Sequence, residues 1–268
     1  MNRAASGLPP LAPALRVRQL VRAFGPRRVL DELNLDIAPG EFVAVLGLSG
    51  TGKTTLLRTL AGLDEPDGGA LQVPPVQAML FGQARLMPWK PLWANVVLGA
   101  PIAHAQRRAT ALAALAEVGL ADLAQARPRQ LDAGQAQRAA LARCMVRAPQ
   151  LLLLDEPFAL LDGLTRLHLQ QLTLRLWRQY QPAVLLATHD IDEAITLADR
   201  LVLLQGGRIL EQIRITLPRP RDGTQPAFNA LRQRLLGLLR VNASTPEPTD
   251  QGPGRYLIYG QPLSSIAI

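Results

Sequence analysis

A glycine-rich segment near residue 50 has the residue types and the spacing of a phosphate-binding loop. Residues 47–55 read GLSGTGKTT, which fits the pattern G-x4-G-K-[ST]. Glycines let successive backbone N–H groups turn toward one anion, and a helix that starts after the loop adds its positive end. Lys53 is then expected to reach the β- and γ-phosphates, and the Thr54 hydroxyl to bind Mg²⁺. The loop therefore predicts binding of ATP with Mg²⁺ by Gly47, Leu48, Ser49, Gly50, Thr51, Gly52, Lys53, Thr54 and Thr55.

Two acidic residues and a histidine follow other apolar segments. Asp155 and Glu156 come directly after the leucine run 151–154, at the strand end where open α/β sheets bind ligands. We expect Asp155 to hold Mg²⁺ through a water, and Glu156 to polarise the water that attacks the γ-phosphate. His189 follows another apolar strand, and its imidazole is expected to hydrogen-bond the γ-phosphate. The alternatives are an acidic pair that only caps a helix and a histidine with a structural role.

The elements that must position these residues alternate between strands and helices. The pattern predicts strands over 15–24, 29–37, 42–46, 151–154, 184–187 and 201–204, and helices over 53–61, 191–197 and 228–239. Uniformly apolar runs are typical of strands buried on both faces of a parallel sheet, so we predict an α/β fold. The Ala-rich stretch 88–147 is predicted to be a helical insertion. We expect a flexible lead-in over 1–13, the main domain over 14–221, and a helix with a flexible tail over 222–268.

Composition narrows the classes of protein. The 268 residues carry a formal net charge of +8, but the basic residues are scattered rather than gathered into a patch, so no nucleic-acid partner is expected. The single cysteine, Cys144, excludes an intrachain disulfide and a zinc site of several thiolates. No apolar run approaches the roughly 20 residues that span a bilayer, and the first residues lack the pattern of a secretory signal. We therefore expect a soluble intracellular chain.

Together these motifs resemble the nucleotide-binding subunits of ATP-binding-cassette (ABC) transporters, over about residues 15–220. The resemblance implies a P-loop NTPase fold with a mainly parallel core sheet, an antiparallel β subdomain and a helical subdomain. It also implies that Phe24 stacks on adenine, that Gln83 contacts the metal and that Asp162 belongs to the D-loop. The segments ARLMPW (84–89) and LPRPR (217–221) are similar to those of importers for sulfonates, taurine and nitrate. The expected function is therefore ATP hydrolysis that energises uptake of aliphatic sulfonates or a related small anion.

The resemblance also implies partners. A second ATPase subunit, in a homodimer, is expected to place its signature segment against the phosphate loop of the first. Two transmembrane permease subunits and a periplasmic substrate-binding protein complete such importers. The chain is then expected as a peripheral protein at the cytoplasmic face of the bacterial inner membrane.

The signature segment and the Q-loop depart from the family pattern. The signature reads Asp132, Ala133, Gly134 and Gln135, where the family has Ser-Gly-Gly-Gln. Asp132 is either an ordinary helix N-cap or a charge that opposes the γ-phosphate, since like unit charges at about 4 Å repel by roughly 4 kcal/mol at an effective dielectric of 20. Gln83 is displaced by one position. These departures support an alternative hypothesis, a degenerate or regulatory subunit that binds ATP but hydrolyses it poorly.

Overall fold

The structure is a computed structural model, and it describes residues 12–243. The expectations for residues 1–11 and for the tail from residue 244 lie outside the described residues. The strands, in chain order, are β1 (Leu15–Phe24), β2 (Arg27–Ile37), β3 (Phe42–Leu46), β4 (Gly68–Gln72), β5 (Gln77–Phe81), β6 (Leu151–Asp155), β7 (Ala183–Thr188), β8 (Arg200–Gln205) and β9 (Arg208–Arg214). The α-helices are α1 (Lys53–Leu60), α2 (Leu92–Val96), α3 (Arg107–Glu117), α4 (Ala133–Met145), α5 (Gly163–Tyr180), α6 (Ile191–Leu197) and α7 (Pro226–Ala243).

A six-stranded sheet in the order β5-β6-β7-β3-β8-β9 forms the core. Its strands are parallel except for β9, which pairs antiparallel with β8 at the edge. Every residue of β3 and β7 is buried, as their uninterrupted apolar sequences predict. Two hydrophobic clusters cover the two faces of this sheet. The parallel arrangement brings the carboxyl ends of β3, β6 and β7 to one edge.

A second, antiparallel sheet in the order β2-β1-β4 packs beside the core. Along β2, buried residues on the inner face alternate with more exposed residues. The buried residues are Leu30, Leu33, Leu35 and Ile37. The same cluster includes Leu56, Leu57 and Leu60 of α1, so this sheet and α1 pack over one face of the core. The mainly parallel core sheet and the antiparallel subdomain that the family resemblance implied are both confirmed.

The segment between β5 and β6 contains α2, α3 and α4 together with three short 3-10 helices, and no strand among its described residues. The helical subdomain is thus also confirmed. Three strands were not predicted: β4 is short and begins with two glycines, β5 has five residues, and β9 is a half-exposed edge strand. Their patterns are too short or too polar to stand out in the sequence.

A candidate nucleotide-binding site

The phosphate-binding loop connects the buried strand β3 to α1. Gly50 and Gly52 have φ angles of +80° and +102°, which L side chains rarely adopt. A Cβ on Gly52 would lie 2.7 Å from the carbonyl oxygen of Val29, and a Cβ on Gly47 would lie 2.5 Å from that of Leu204. The backbone conformation and the close neighbours explain why these positions are glycine. The loop ends at the amino end of α1. The backbone N–H groups at a helix amino end favour the binding of an anion.

Lys53 is the first residue of α1, and its side chain is almost completely buried. Its Nζ donates to the carbonyl oxygens of Gly47 and Leu48 at 2.8 and 2.9 Å and lies 3.8 Å from Oε1 of Glu156. Burial lowers the pKa of Lys53, against the opposing effect of the Glu156 and Asp155 carboxylates. A desolvated ammonium beside the glycine loop is suited to contact phosphate oxygens.

Thr54 and Asp155 come from distant parts of the chain and meet at the carboxyl edge of the sheet. The Thr54 hydroxyl donates to Oδ1 of Asp155 at 2.9 Å. Burial raises the pKa of Asp155, and the hydrogen bond from Thr54 opposes that change. A hydroxyl and a carboxylate are the oxygen ligands that Mg²⁺ accepts while it keeps waters and phosphate oxygens. The pair therefore fits a magnesium ion bound with a nucleotide, although residues 12–243 contain no group of three His, Cys, Asp or Glu side chains suited to a metal.

Glu156 has a strained backbone. Its φ is +46°, a left-handed value that is uncommon for a non-glycine residue, and its N–H donates to the carbonyl oxygen of Ala187 at 3.0 Å. This conformation turns the side chain toward the end of β7, where Oε1 lies 3.4 Å from Nδ1 of His189. The Glu156 carboxylate is 33% exposed, so water can reach it. The structure thus places the predicted base, Glu156, beside Lys53 and beside His189, the residue predicted to contact the γ-phosphate.

Phe24 lies at the end of β1 beside the loop. Its ring is 52% exposed, and the Arg22 guanidinium lies 4.4 Å from the ring centroid. A cavity of about 390 Å³ extends from Phe24 past Ser49 and Lys53 to Glu156. The cavity is large enough for a nucleotide whose base contacts Phe24 and whose phosphates lie over the loop.

The signature residues lie at the start of α4, and within residues 12–243 they form no hydrogen bond or ion pair with the phosphate loop. Asp132 is the N-cap of α4: its Oδ1 accepts from the N–H of Gln135 at 2.7 Å, and Oε1 of Gln135 accepts from the N–H of Asp132 at 3.2 Å. Gly134 is closely packed: a Cβ there would lie 2.4 Å from Cγ2 of Thr165, so the Thr165 side chain would have to move. Ala133 is exposed on the first turn. The helix-cap interpretation of Asp132 is therefore the one that a single chain satisfies.

Asp162 and Gln83 differ in how firmly they are held. Asp162 is the N-cap of α5 and accepts from the N–H of Thr165 at 3.1 Å. Gln83 is exposed after β5, and its side chain makes no hydrogen bond within the described part of the chain. The structure therefore does not join Gln83 to Thr54 or Asp155.

Three residues that sequence reasoning did not select connect α4 and α6 to the site. Gln137 is buried on α4, and its Nε2 donates to the carbonyl oxygens of Phe81 and Pro157 at 2.7 and 2.9 Å. Arg143 donates from the same helix to the carbonyl oxygens of residues 84 and 85. Glu193 is buried on α6 behind His189. For Gln137 the available signal was a glutamine among the alanines of an otherwise apolar helix face.

The glycine loop after β3, the acidic pair at the end of β6 and the histidine after β7 define an ATPase of the P-loop class with a helical subdomain inserted in its core. Residues 30–159 match the family model described as ABC transporter. The chain is 57% identical over 245 residues to the aliphatic sulfonates import ATP-binding protein SsuB 2 of Pseudomonas savastanoi pv. phaseolicola, with 91% of each chain covered. A similar protein of Granulibacter bethesdensis is 55% identical, with 85% of this chain and 95% of the relative covered.

Comparison with solved structures also leads to the ATP-binding cassettes. A dimeric, post-hydrolysis structure of the ATP-binding cassette MJ0796 with ADP and phosphate aligns with a TM-score of 0.67 at 27% identity, covering 76% of this chain and all of that one. The chain belongs to the ABC transporter family, among its ATP-hydrolysing subunits. Within residues 12–243 no helix is long and apolar enough to cross a membrane. Nothing in these comparisons supports the degenerate-subunit hypothesis.

Proposed function

We propose that this chain is the ATP-hydrolysing subunit of an importer for aliphatic sulfonates. The observation that carries the proposal is the convergence of Lys53, Glu156 and His189 beside the Thr54–Asp155 pair. This convergence supplies a phosphate-binding cation, a base with a nearby imidazole, and two oxygen ligands at one edge of one sheet. Relatives more than half identical over most of the chain are named aliphatic sulfonates import ATP-binding proteins, which supports the choice of solute.

Each residue has a defined part in hydrolysis. Lys53 balances charge on the β- and γ-phosphates, and the loop N–H groups hold them in place. A bound Mg²⁺, held by Thr54 and Asp155, would supply further charge stabilisation. Glu156 orients the attacking water and accepts its proton. His189 assists Glu156 through Nδ1, which lies 3.4 Å from Oε1 of Glu156, and contacts the γ-phosphate through its other ring nitrogen.

We infer that the working form is a homodimer. The solved MJ0796 cassettes, of similar fold, are dimeric. In this chain the signature residues 132–135 and the D-loop residue Asp162 lie at helix starts, and within residues 12–243 they form no hydrogen bond with their own phosphate loop. Two copies arranged head to tail would place the signature of each opposite the other's nucleotide.

The remaining partners are two permease subunits and a periplasmic binding protein, with the chain attached at the cytoplasmic face of the inner membrane. Arg143 on α4 holds the backbone of residues 84–85, at the start of the ARLMPW segment. Trp89, in the same segment, is 67% exposed. An exposed tryptophan is suited to contact a permease. Because its segment is hydrogen-bonded to α4, such a contact would be coupled to the position of the signature residues at the start of α4.

The test is reconstitution of the chain with its permeases and binding protein in lipid vesicles. Phosphate release and solute uptake are measured with the binding protein preloaded with hexanesulfonate, taurine or nitrate. We expect hexanesulfonate to give the largest increase in both. Stimulation by nitrate alone would refute the sulfonate assignment, and hydrolysis that no solute stimulates would refute the importer role. The Glu156→Gln variant is the control for background turnover.

A further inference from the structure

A large cleft lies away from the nucleotide site, between α5, α6, the segment 219–223 and the first turns of α7. Its volume is about 920 Å³, more than twice that of the cavity over the phosphate loop. The nucleotide-binding function does not use any of the residues that line it. The size is in the range of ligand sites for small organic molecules.

The lining of this cleft is strongly basic. Five arginines contribute to it, against the two acids Asp192 and Asp222: Arg175, Arg178, Arg219, Arg221 and Arg232. Arg219 and Arg232 pair with Asp199 and Asp192. Within residues 12–243 the other three arginines have no carboxylate partner, since Arg175 and Arg221 donate only to carbonyl oxygens. Three guanidiniums around one cleft without acidic partners favour an anionic ligand.

Apolar and neutral polar groups lie between these charges. Leu174, Phe228 and Pro220 form apolar walls. Gln170, a buried polar residue, also lines the cleft. The lining thus suits an anion that carries a short apolar body.

The walls of the cleft hold α6 at both of its ends. At the carboxyl end, Arg219 donates to the carbonyl oxygen of Leu197 and Arg221 to those of Ile195 and Ala198. These bonds satisfy carbonyl groups that the helix itself leaves unpaired. At the amino end, Arg232 of α7 donates to Asp192 through two nitrogens.

The amino end of α6 leads directly to the nucleotide site. Asp190 is its N-cap and accepts from the N–H groups of Asp192 and Glu193. His189 is the preceding residue, and its Nδ1 lies 3.4 Å from Glu156. A ligand anion in the cleft competes with Asp192 for Arg232 and loosens this end of α6. The position of His189 then depends on whether the cleft is filled.

We propose that this cleft binds a small organic anion with an apolar body, of the alkylsulfonate class, and that its binding lowers ATP turnover through α6. The apolar chain of the ligand packs against the apolar walls of the cleft. Its charged group pairs with Arg178 and the neighbouring arginines of the lining. The site follows from the cleft alone. Only an identity between this ligand and the transported solute would rest on the proposed function.

Binding is tested by calorimetry on the full-length subunit without permeases, so the result does not depend on the importer assignment. Hexanesulfonate is the probe, with sulfate as the head group alone and hexanol as the body alone. We expect hexanesulfonate to bind at least about tenfold more tightly than either, because both parts of the lining are used. Equal binding of sulfate would show simple attraction by positive charge, and no binding of hexanesulfonate would overturn the site.

Two variants locate the binding. Arg178→Gln removes an exposed guanidinium without a partner and is expected to weaken hexanesulfonate binding at least about fivefold. The matched control is Arg214→Gln, an exposed arginine on β9 that does not line the cleft, and it is expected to bind like the parent chain. Equal affinities of the two variants would place the ligand elsewhere and contradict the proposal.

The regulatory step is tested by ATP turnover at saturating nucleotide. We expect hexanesulfonate to lower turnover at least about twofold in the parent chain and in Arg214→Gln, but not in Arg178→Gln, whose turnover without ligand stays normal. Vesicles with phosphatidylglycerol separate a lipid head group from a free anion. Inhibition that requires vesicles and is not produced by hexanesulfonate would contradict the small-molecule assignment.

Discussion

The hydroxyl of Thr188 donates a 2.6 Å hydrogen bond to Oε2 of Glu193, and both residues are buried directly behind His189. The same hydroxyl accepts from the N–H of Asp190 at 3.0 Å, so the turn that carries His189 is fixed by side chains. Oε1 of Glu193 is also buried and has no hydrogen-bond partner among residues 12–243. The pKa of Glu193 is raised to about 7, chiefly by burial and also by Asp190 and Glu156, against the opposing effects of Thr188 and Arg166.

This carboxyl group gives the first prediction, a dependence of stability on pH. Between its ordinary pKa of 4.5 and about 7, the unfolded chain releases the proton of Glu193 while the folded chain keeps it. The free energy of unfolding therefore falls as pH rises through this window, and Glu193→Gln removes that contribution. We expect the melting temperature of the parent chain to fall more than that of Glu193→Gln between about pH 5 and about pH 8.

The measurement is thermal unfolding followed by circular dichroism across that range. Glu65→Gln, at an exposed acid, is the control and should behave like the parent chain. Parallel curves for the parent chain and Glu193→Gln would mean that folding does not raise the pKa of Glu193.

The second prediction uses the two lysines of the sequence, Lys53 and Lys90. Lys53→Ala removes a buried ammonium at the phosphate loop, and we expect ATP·Mg²⁺ to bind at least about tenfold more weakly because a charge-assisted contact is lost. Lys90→Ala lies outside the cavity and should leave affinity unchanged. Calorimetric titration of both variants checks this, and equal affinities would refute the assignment of the loop.

The third prediction concerns Glu156 as the base. Glu156→Gln keeps the size of the side chain but cannot accept a proton, so we expect ATP binding to persist and turnover to fall at least about 100-fold. The variant should also accumulate as an ATP-bound dimer. Steady-state phosphate release and size-exclusion chromatography with ATP measure the two effects, with Glu65→Gln as the control. Turnover near the parent rate would exclude Glu156 from this role.

How much of the molecule could be predicted depended on whether a feature was local in sequence. The glycine loop, the run 151–154 and the apolar strand before His189 are continuous segments, so their motifs and elements were predicted together. Gln137 is different, because its two acceptor carbonyls lie 56 and 20 residues away and no local pattern indicates them. The role of the LPRPR segment was equally hidden: its two arginines cap α6, a contact that exists only in the folded chain.

The last prediction separates the two roles considered for Asp132. The structure shows that Asp132 caps α4, and serine or asparagine at this position can accept the same hydrogen bond from Gln135. Asp132→Ser and Asp132→Asn therefore remove the charge and keep the cap, whereas Asp132→Ala removes both. We expect only the alanine variant to lose stability, by about 1 kcal/mol, measured as the free energy of unfolding in urea.

The rate of ATP turnover, by contrast, should depend on the charge at position 132 and not on the helix cap. In a head-to-tail dimer the Asp132 carboxylate faces the γ-phosphate bound by the partner, so its removal is expected to raise turnover about tenfold, which needs only about 1.4 kcal/mol of relieved repulsion. Asp132→Asn, which keeps the shape, should give an intermediate gain. Steady-state ATPase rates with the permease subunits present check this, with Asp122→Asn at an exposed acid as the control. If serine and asparagine leave the rate unchanged while alanine only destabilises α4, Asp132 acts as a helix cap alone.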